Sequence, residues 1–194
     1  MTWEGLSPPY ATIVADPPWA YEEGWPCEGS KPGSGKRFKT GPRIKPFSFM
    51  SLQEISELPI ADLAERDAHL YLWTTNRFLR DAFAVVTAWG FNYSATLVWC
   101  KEPMGLGPGG AFASTTEFVL FARRGSLKPL QRHDSTWFRG KRSDHSVKPA
   151  SLGDLVEKVS PGPYVELFAR QPRLGWDAWG YGYETPRPPD MGVE

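Results

Sequence analysis

The chain has 194 residues, 41% of them hydrophobic, enough for one domain of ordinary size with a substantial core. Its 22 basic and 22 acidic side chains cancel, which excludes a global field that recruits a polyanion; nucleic acid would have to be met by local patches. The two cysteines, Cys27 and Cys100, lack metal-ligand spacing and fit a reducing compartment, and no apolar stretch is long enough to cross a bilayer. These features give a cytoplasmic protein with no membrane contact and no metal site as the expectation.

Taken in chain order, the first element is a strand over 11–15, Ala-Thr-Ile-Val-Ala, which ends at Asp16-Pro17-Pro18-Trp19. An acid, two prolines and a flat aromatic thus fall at the carboxyl end of a strand, where open α/β sheets bind ligands. Proline fixes φ and removes the N–H, so Pro17 and Pro18 make a stiff turn that presents carbonyl acceptors. A carboxylate and a carbonyl that together accept the hydrogens of an exocyclic base amine would localise its lone pair. Trp19 offers a face on which a flipped base can stack. Asp-Pro after a strand is also a common turn opener, so the tetrapeptide alone leaves turn and catalysis open.

Residues 24–46 are rich in Gly, Pro and Ser and carry Lys31, Lys36, Arg37, Lys39, Arg43 and Lys45 with no acid between 29 and 46. A loop of that length is usually functional or disordered, and a gate that touches phosphate is expected. Ser51-x-x-Glu54 is a capping box that opens a helix over about 51–57, broken at Pro59 and resuming at 60–66. A strand over 68–74 follows, then a helix over 77–88 capped by Thr75 or Asn76 and ended at Gly90. Strands over 93–100 and 115–122 succeed each other without a helix, which implies an antiparallel portion. A second basic run, Arg123, Arg124, Lys128, Arg132, Arg139, Lys141 and Arg142, suggests together with the first one polarised surface. A helix over 149–159 places Leu152, Leu155, Val156 and Val159 on one face, and a strand over 163–169 follows. The strands at 11–15, 68–74 and 163–169 read as buried on both faces. The alternation predicts an α/β domain over 1–184 with a mostly parallel sheet, and a tail over 185–194.

The motifs in their order resemble the MT-A-seventy (MT-A70) family of N(6)-adenine methyltransferases. The match is carried by Asp16-Pro17-Pro18-Trp19, Pro46-Phe47-Ser48-Phe49-Met50-Ser51, Leu72-Trp73-Thr74, Trp89-Gly90-Phe91, Val98-Trp99-Cys100-Lys101 and Glu117-Phe118-Val119-Leu120. It continues through His145-Ser146-Val147-Lys148-Pro149, Glu166-Leu167-Phe168-Ala169-Arg170 and Gly175-Trp176-Asp177-Ala178-Trp179-Gly180. The resemblance implies a Rossmann-like sheet with permuted, beta-class motif order and S-adenosylmethionine (SAM) as cofactor. It implies that Asp16 and the Pro17 backbone hold the target amine, and that Trp19 or Tyr21 stacks on the base. Lys148 would pair with the methionine carboxylate, while Glu166 and Arg170, with Phe168 and Gly180 in the same two motifs, would surround the SAM ribose and adenine. Lys36, Arg37 and Lys39 stand as phosphate ligands; Lys101 and Glu117 are either substrate ligands or a pair across the sheet.

Three departures from the family pattern bear on cofactor binding. Gly180 is followed by Tyr181-Gly182-Tyr183-Glu184 in place of the polar adenosine ligands, and Arg170 by Gln171, Pro172 and Arg173. An acidic segment before the first strand is missing. The expected reaction is methylation of adenine N6, in DNA rather than RNA because no zinc-finger or helical regulatory module is attached. The rivals are a cytosine amine methyltransferase, a small-molecule methyltransferase and a catalytically degenerate scaffolding subunit. With no recognition domain in view, sequence choice falls to the loops at 24–46 and 103–113, or to a homodimeric or heteromeric partner.

Overall fold

A computed structural model describes residues 3, 5–20, 49–102, 111–141 and 148–180. Among these residues seven strands form one sheet in the order β5-β3-β4-β2-β1-β6-β7, with β1 Tyr10–Ala15, β2 Ala64–Thr74, β3 Asn92–Glu102, β4 Thr116–Arg124, β5 Trp137–Lys141, β6 Tyr164–Ala169 and β7 Trp176–Gly180. Every pairing is parallel except those of β4, which runs against β2 and β3. Helices α1 Leu52–Ser56 and α2 Leu79–Ala88 lie on one face, and α3 Ala150–Val159 lies on the other. This is the α/β, Rossmann-like architecture expected, with its antiparallel portion at the expected strand.

The core divides by the pleat of β1. Ile13 and Ala15 point into a cluster with Ile55, Val85, Val86 and Trp89, whereas Val14 points into one with Leu152, Leu155 and Val156. Burying both faces of a central strand requires the near-continuous apolar run seen at 11–15. β6 departs from the expectation, because Tyr164 and Glu166 on its α3 side remain partly exposed. There the start of α3 and the carboxyl end of β6 face each other across a cleft. The helix before β2 and the helix before β6 lie on opposite faces, so β1 and β6 flank a switch point, where such sheets bind ligands.

The Ser51–Glu54 capping box forms in full, with Ser51 N–H and Oγ–H both donating to Glu54 Oε2 and Ser51 Oγ accepting the Glu54 N–H. The helix expected to resume at 60–66 is only a 3-10 turn, Ile60–Asp62, and the chain enters β2 at Ala64. Leu63 C=O instead accepts the Tyr10 N–H at 2.7 Å, which draws the segment into the sheet. α2 begins at Leu79 with Phe78 in the N-cap position and no side-chain cap, so neither Thr75 nor Asn76 takes that role. No helix among the described residues is long and apolar enough to cross a membrane, and they hold no metal-ligating cluster.

Candidate active site

The turn after β1 is held on all sides. Asp16 N–H donates to Leu167 O at 3.3 Å, Trp19 N–H to Pro17 O at 2.9 Å, and Met50 N–H to Pro18 O at 2.9 Å. Both proline carbonyls therefore have a donor already, and each keeps a second lone pair. Trp19 is not the open platform expected: it is 5% exposed, stacks on Phe78 at 5.5 Å and 14°, and donates its Nε1–H to Trp73 O at 3.1 Å. The indole nails the turn to β2 and the start of α2. Its large apolar face is worth more in the core than at the surface, and the indole N–H finds a carbonyl there.

Asp16 lines a cleft of about 130 Å³ with Lys148, Glu166, Phe168 and Arg170. The structure thus gathers, from three separate segments, the carboxylate expected to hold the target amine and four of the five residues expected to hold cofactor. Gly180, the fifth, does not line the cleft and answers to packing. β6 carries a bulge at Phe168, which has φ +62°, since Leu167 pairs with Trp179 and Ala169 with Gly180. A Cβ on Gly180 would lie 2.3 Å from Ala169 O, so the glycine is needed for the backbones to approach. Positive φ is unfavourable for a phenylalanine, and such strain concentrates at functional sites. Here it accompanies a turn of the chain over the cleft, with the Phe168 ring edge-on to Trp179 at 5.4 Å.

Four charges form a chain of contacts that runs from the cleft wall into the sheet. Lys148 Nζ lies 3.0 Å from Asp16 Oδ1 and 3.2 Å from Glu117 Oε2, and Lys101 Nζ lies 2.6 Å from Glu117 Oε1. Lys101 and Glu117 do pair across the sheet and lie outside the cleft lining. Burial acts to raise the Glu117 carboxyl, but the ammonium groups of Lys148 and Lys101 overcome it and hold it below the usual carboxylate range. Burial acts to lower the Lys148 ammonium, and the carboxylates of Asp16 and Glu117 more than reverse that. Around Glu166 the cations of Arg173 and Lys148 act the same way but do not prevail. Burial first, and the Asp16 charge second, push it up to about 7.

The cleft also holds residues that sequence reasoning missed. Trp73 forms part of its wall, with Lys148 Nζ 4.9 Å from the ring. Arg173, one of the departures from the family pattern, faces α3: Nε and Nη2 each bond Glu157 at 2.8 Å, and Nη2 bonds Asp154 at 2.7 Å. The acids three residues apart on one helix face were the available signal. Among the described residues the Arg170 Nε is buried without a hydrogen-bond partner, and the Glu166 carboxyl makes no hydrogen bond. An unsatisfied donor and an acid in one cleft fit a ligand that brings an acceptor and hydroxyl groups, as SAM would.

The second basic run is not one surface. Arg123 and Arg124 end the antiparallel β4 beside His69 and Ala68, at the end of the sheet opposite Asp16, whereas Arg139 and Lys141 lie on β5 beside Cys100 and Glu102, at the same end as Asp16. Tyr21, Lys36, Arg37 and Lys39, the gate over 24–46, most of the 103–113 loop, Arg142 and the tail over 185–194 lie outside the described residues.

A parallel sheet with one reversed strand, its cleft at the β1/β6 switch point and an Asp-Pro-Pro-Trp turn at the rim define a Rossmann-like methyltransferase. The MT-A70 family model matches residues 10–182, and the chain belongs to that family of adenine-specific methyltransferases. It is 33% identical over 180 residues to the Type II methyltransferase M.MunI of Mycoplasma sp, covering 88% of this chain and 76% of that protein. It is 30% identical to the N6-methyladenosine RNA methyltransferase MTA1 of Pyricularia oryzae over 90% of this chain and 47% of the relative. It is 24% identical to the N(6)-adenine-specific methyltransferase METTL4 of Homo sapiens over 88% of this chain and 37% of the relative. The chain therefore spans less than half the length of the last two.

Proposed function

We propose that this chain methylates the N6 amine of adenine in DNA with SAM as donor. The observation that carries the reading is the half-committed carboxylate of Asp16: Lys148 holds Oδ1, and Oδ2 has no partner among the described residues. A carboxylate fixed by one oxygen has its other oxygen aimed by the same contact. Oδ2 would accept one hydrogen of the amine and the spare lone pair of the Pro17 carbonyl the other, which localises the nitrogen lone pair. SAM supplies a methyl group already activated by its sulfonium. As the new N–C bond forms, the sulfonium S–C bond would break to leave a neutral thioether and the positive charge would pass to the amine, where Asp16 stabilises it until the surplus proton is lost to solvent. Positioning supplies much of the remaining acceleration.

Lys148 has three N–H donors, and its ion pairs with Asp16 at 3.0 Å and Glu117 at 3.2 Å engage at most two of them. The third would meet the methionine carboxylate, which places the methionine end beside the reacting carboxylate. Glu166 would receive the ribose hydroxyls, and Arg170 Nε an acceptor on the same ligand. Trp19 serves by holding the turn and not by touching the base. DNA is preferred over RNA because the relative matched over most of its length is a Type II methyltransferase.

The test incubates the protein with isotope-labelled SAM and a mixture of single- and double-stranded DNA and RNA, then identifies the labelled nucleoside by mass spectrometry. Label in N6-methyldeoxyadenosine supports the reading. Label only in N6-methyladenosine moves the substrate to RNA, and label in a cytosine product defeats the assignment.

A further inference from the structure

Lys101 is far more buried than a nucleic-acid ligand should be. It is 8% exposed, its ammonium lies 2.6 Å from Glu117 Oε1, and it sits 5.3 Å from the ring of Trp99. It touches neither Asp16 nor the cleft wall. Its place in the line of charges is nevertheless definite: Lys101 binds one oxygen of Glu117, Lys148 binds the other, and Lys148 alone reaches Asp16. The two ammonium groups rest against Trp99 and Trp73, whose rings pack edge to face at 5.8 Å, and Trp99 is tied to Gly140 O at 3.0 Å. Such a floor holds both cations in place and recovers part of their lost hydration.

We propose that Lys101 is a positioning residue for methyl transfer: by neutralising Glu117 it leaves Lys148 free to hold Asp16. With both lysines present, the four charges cancel in pairs. Without Lys101, two buried carboxylates share one ammonium, and Glu117 offers two oxygens against the one Asp16 presents. Lys148 is then drawn toward Glu117 and releases Asp16 Oδ1. The other charged groups around Asp16 do not replace it. Glu166 on β6 is a second acid, Arg173 is bound by Glu157 and Asp154, and Arg170, just after β6, makes no ion pair with Asp16 among the described residues.

The inference rests on the methyltransferase reading, and the wild-type rate on the same DNA separates the failure of one from the other. The experiment measures kcat against pH, and its salt dependence, for wild type, Lys101→Met, Lys101→Arg and the double variant Lys101→Met/Glu117→Gln. Removing the cation from a carboxylate network moves the acid limb of the Lys101→Met profile upward by about one pH unit, with KM for SAM changed less than kcat. Lys101→Arg restores the limb because it keeps the charge. The double variant, which removes the surplus acid and so avoids an uncompensated buried charge, also returns the limb toward its wild-type position whatever its absolute rate. An unmoved limb in Lys101→Met overturns the proposal. So does a uniform loss at every pH that the double variant shares, or a change confined to a salt slope lowered by about one, which would make Lys101 a phosphate ligand.

Discussion

The ammonium of Lys148 lies 3.0 Å from one oxygen of the Asp16 carboxylate, although 132 positions separate the two residues in the chain. β1 ends at Asp16, Lys148 stands two residues before α3, and the sheet brings them to a common rim. The contact orients the acid, while the second carboxylate that Lys148 holds, Glu117, ties the rim to β4. The effects of this charge arrangement are measurable in the protein without substrate.

Glu166 should cost stability above neutral pH. Its carboxyl is raised from 4.5 to about 7, so the folded state binds the extra proton between those values. Stability from this group is full below 4.5 and is lost as pH rises toward 7. Glu166→Gln cannot titrate, and it should be more stable than wild type at pH 8 by about 1–3 kcal/mol, with the difference fading toward pH 4.5. Thermal melts of both proteins at the two pH values read it. A Glu166→Gln protein that gains nothing at pH 8 would show that the acid is already charged at no cost.

His69 acts in the opposite sense. It is fully buried, with Nδ1 2.7 Å from Ser160 Oγ and Nε2 3.2 Å from Leu127 O, and Tyr71 OH lies 2.8 Å from the same serine. The Leu127 carbonyl requires the proton on Nε2, so Ser160 donates to Nδ1 and Tyr71 donates to Ser160. Burial holds the imidazole below its usual 6.5, and no acid among the described residues pairs with it. Its contribution is full above 6.5 and falls as pH drops below that value, because the unfolded chain takes the proton first. His69→Gln should be less stable than wild type at pH 7 but lose less between pH 7 and pH 5. Chemical denaturation at the two pH values separates this slope from that of Glu166.

Gly180→Ala tests the packing role given to a residue of the cofactor motif. The added methyl would meet Ala169 O at 2.3 Å and Ala169 N at 2.8 Å, and backbone cannot yield as a side chain does. Overpacking of this kind should cost roughly 1–3 kcal/mol and displace the Phe168 bulge. The melting temperature should fall, and SAM affinity with it. A Gly180→Ala protein with wild-type stability would mean that β7 is free to move away.

Trp19→Ala should behave as a core variant. Loss of the ring stacked on Phe78 and of the bond to Trp73 O should destabilise by about 3–5 kcal/mol. Denaturant titration reads this directly. A variant that keeps wild-type stability while losing only DNA affinity would return Trp19 to the role of base platform.

What could be read from the chain divides by physical origin. β1, β2, α2 and α3 announce themselves because each buries a face and so carries an apolar run or period. β5 and β7 escape notice: they are short edge strands whose residues, such as Trp137-Phe138-Arg139-Gly140-Lys141, show neither an apolar run nor a clear alternation over so few positions. Asp16, Lys148, Glu166 and Arg170 could be placed in one cleft from the order of motifs. The line from Lys101 through Glu117 to Lys148 could not, because it depends on the register of β3 against β4 and on where the chain re-enters after β5. Trp19 misleads for a simpler reason, since an aromatic that stacks on a base and one that fills a core look alike in sequence. The basic run after β4 divides because that strand is the reversed one, and its Arg123 and Arg124 are carried away from the rim.

The most direct measurement is made on Asp16→Asn, which keeps the shape of the side chain and removes its charge. SAM affinity by calorimetry and the single-turnover rate of adenine methylation are determined on the same preparation, beside wild type. The predicted result is a cofactor affinity within a few-fold of wild type and a transfer rate lowered by roughly a hundredfold or more. An Asn variant that methylates adenine at the wild-type rate would contradict the claim that this carboxylate holds the reacting amine.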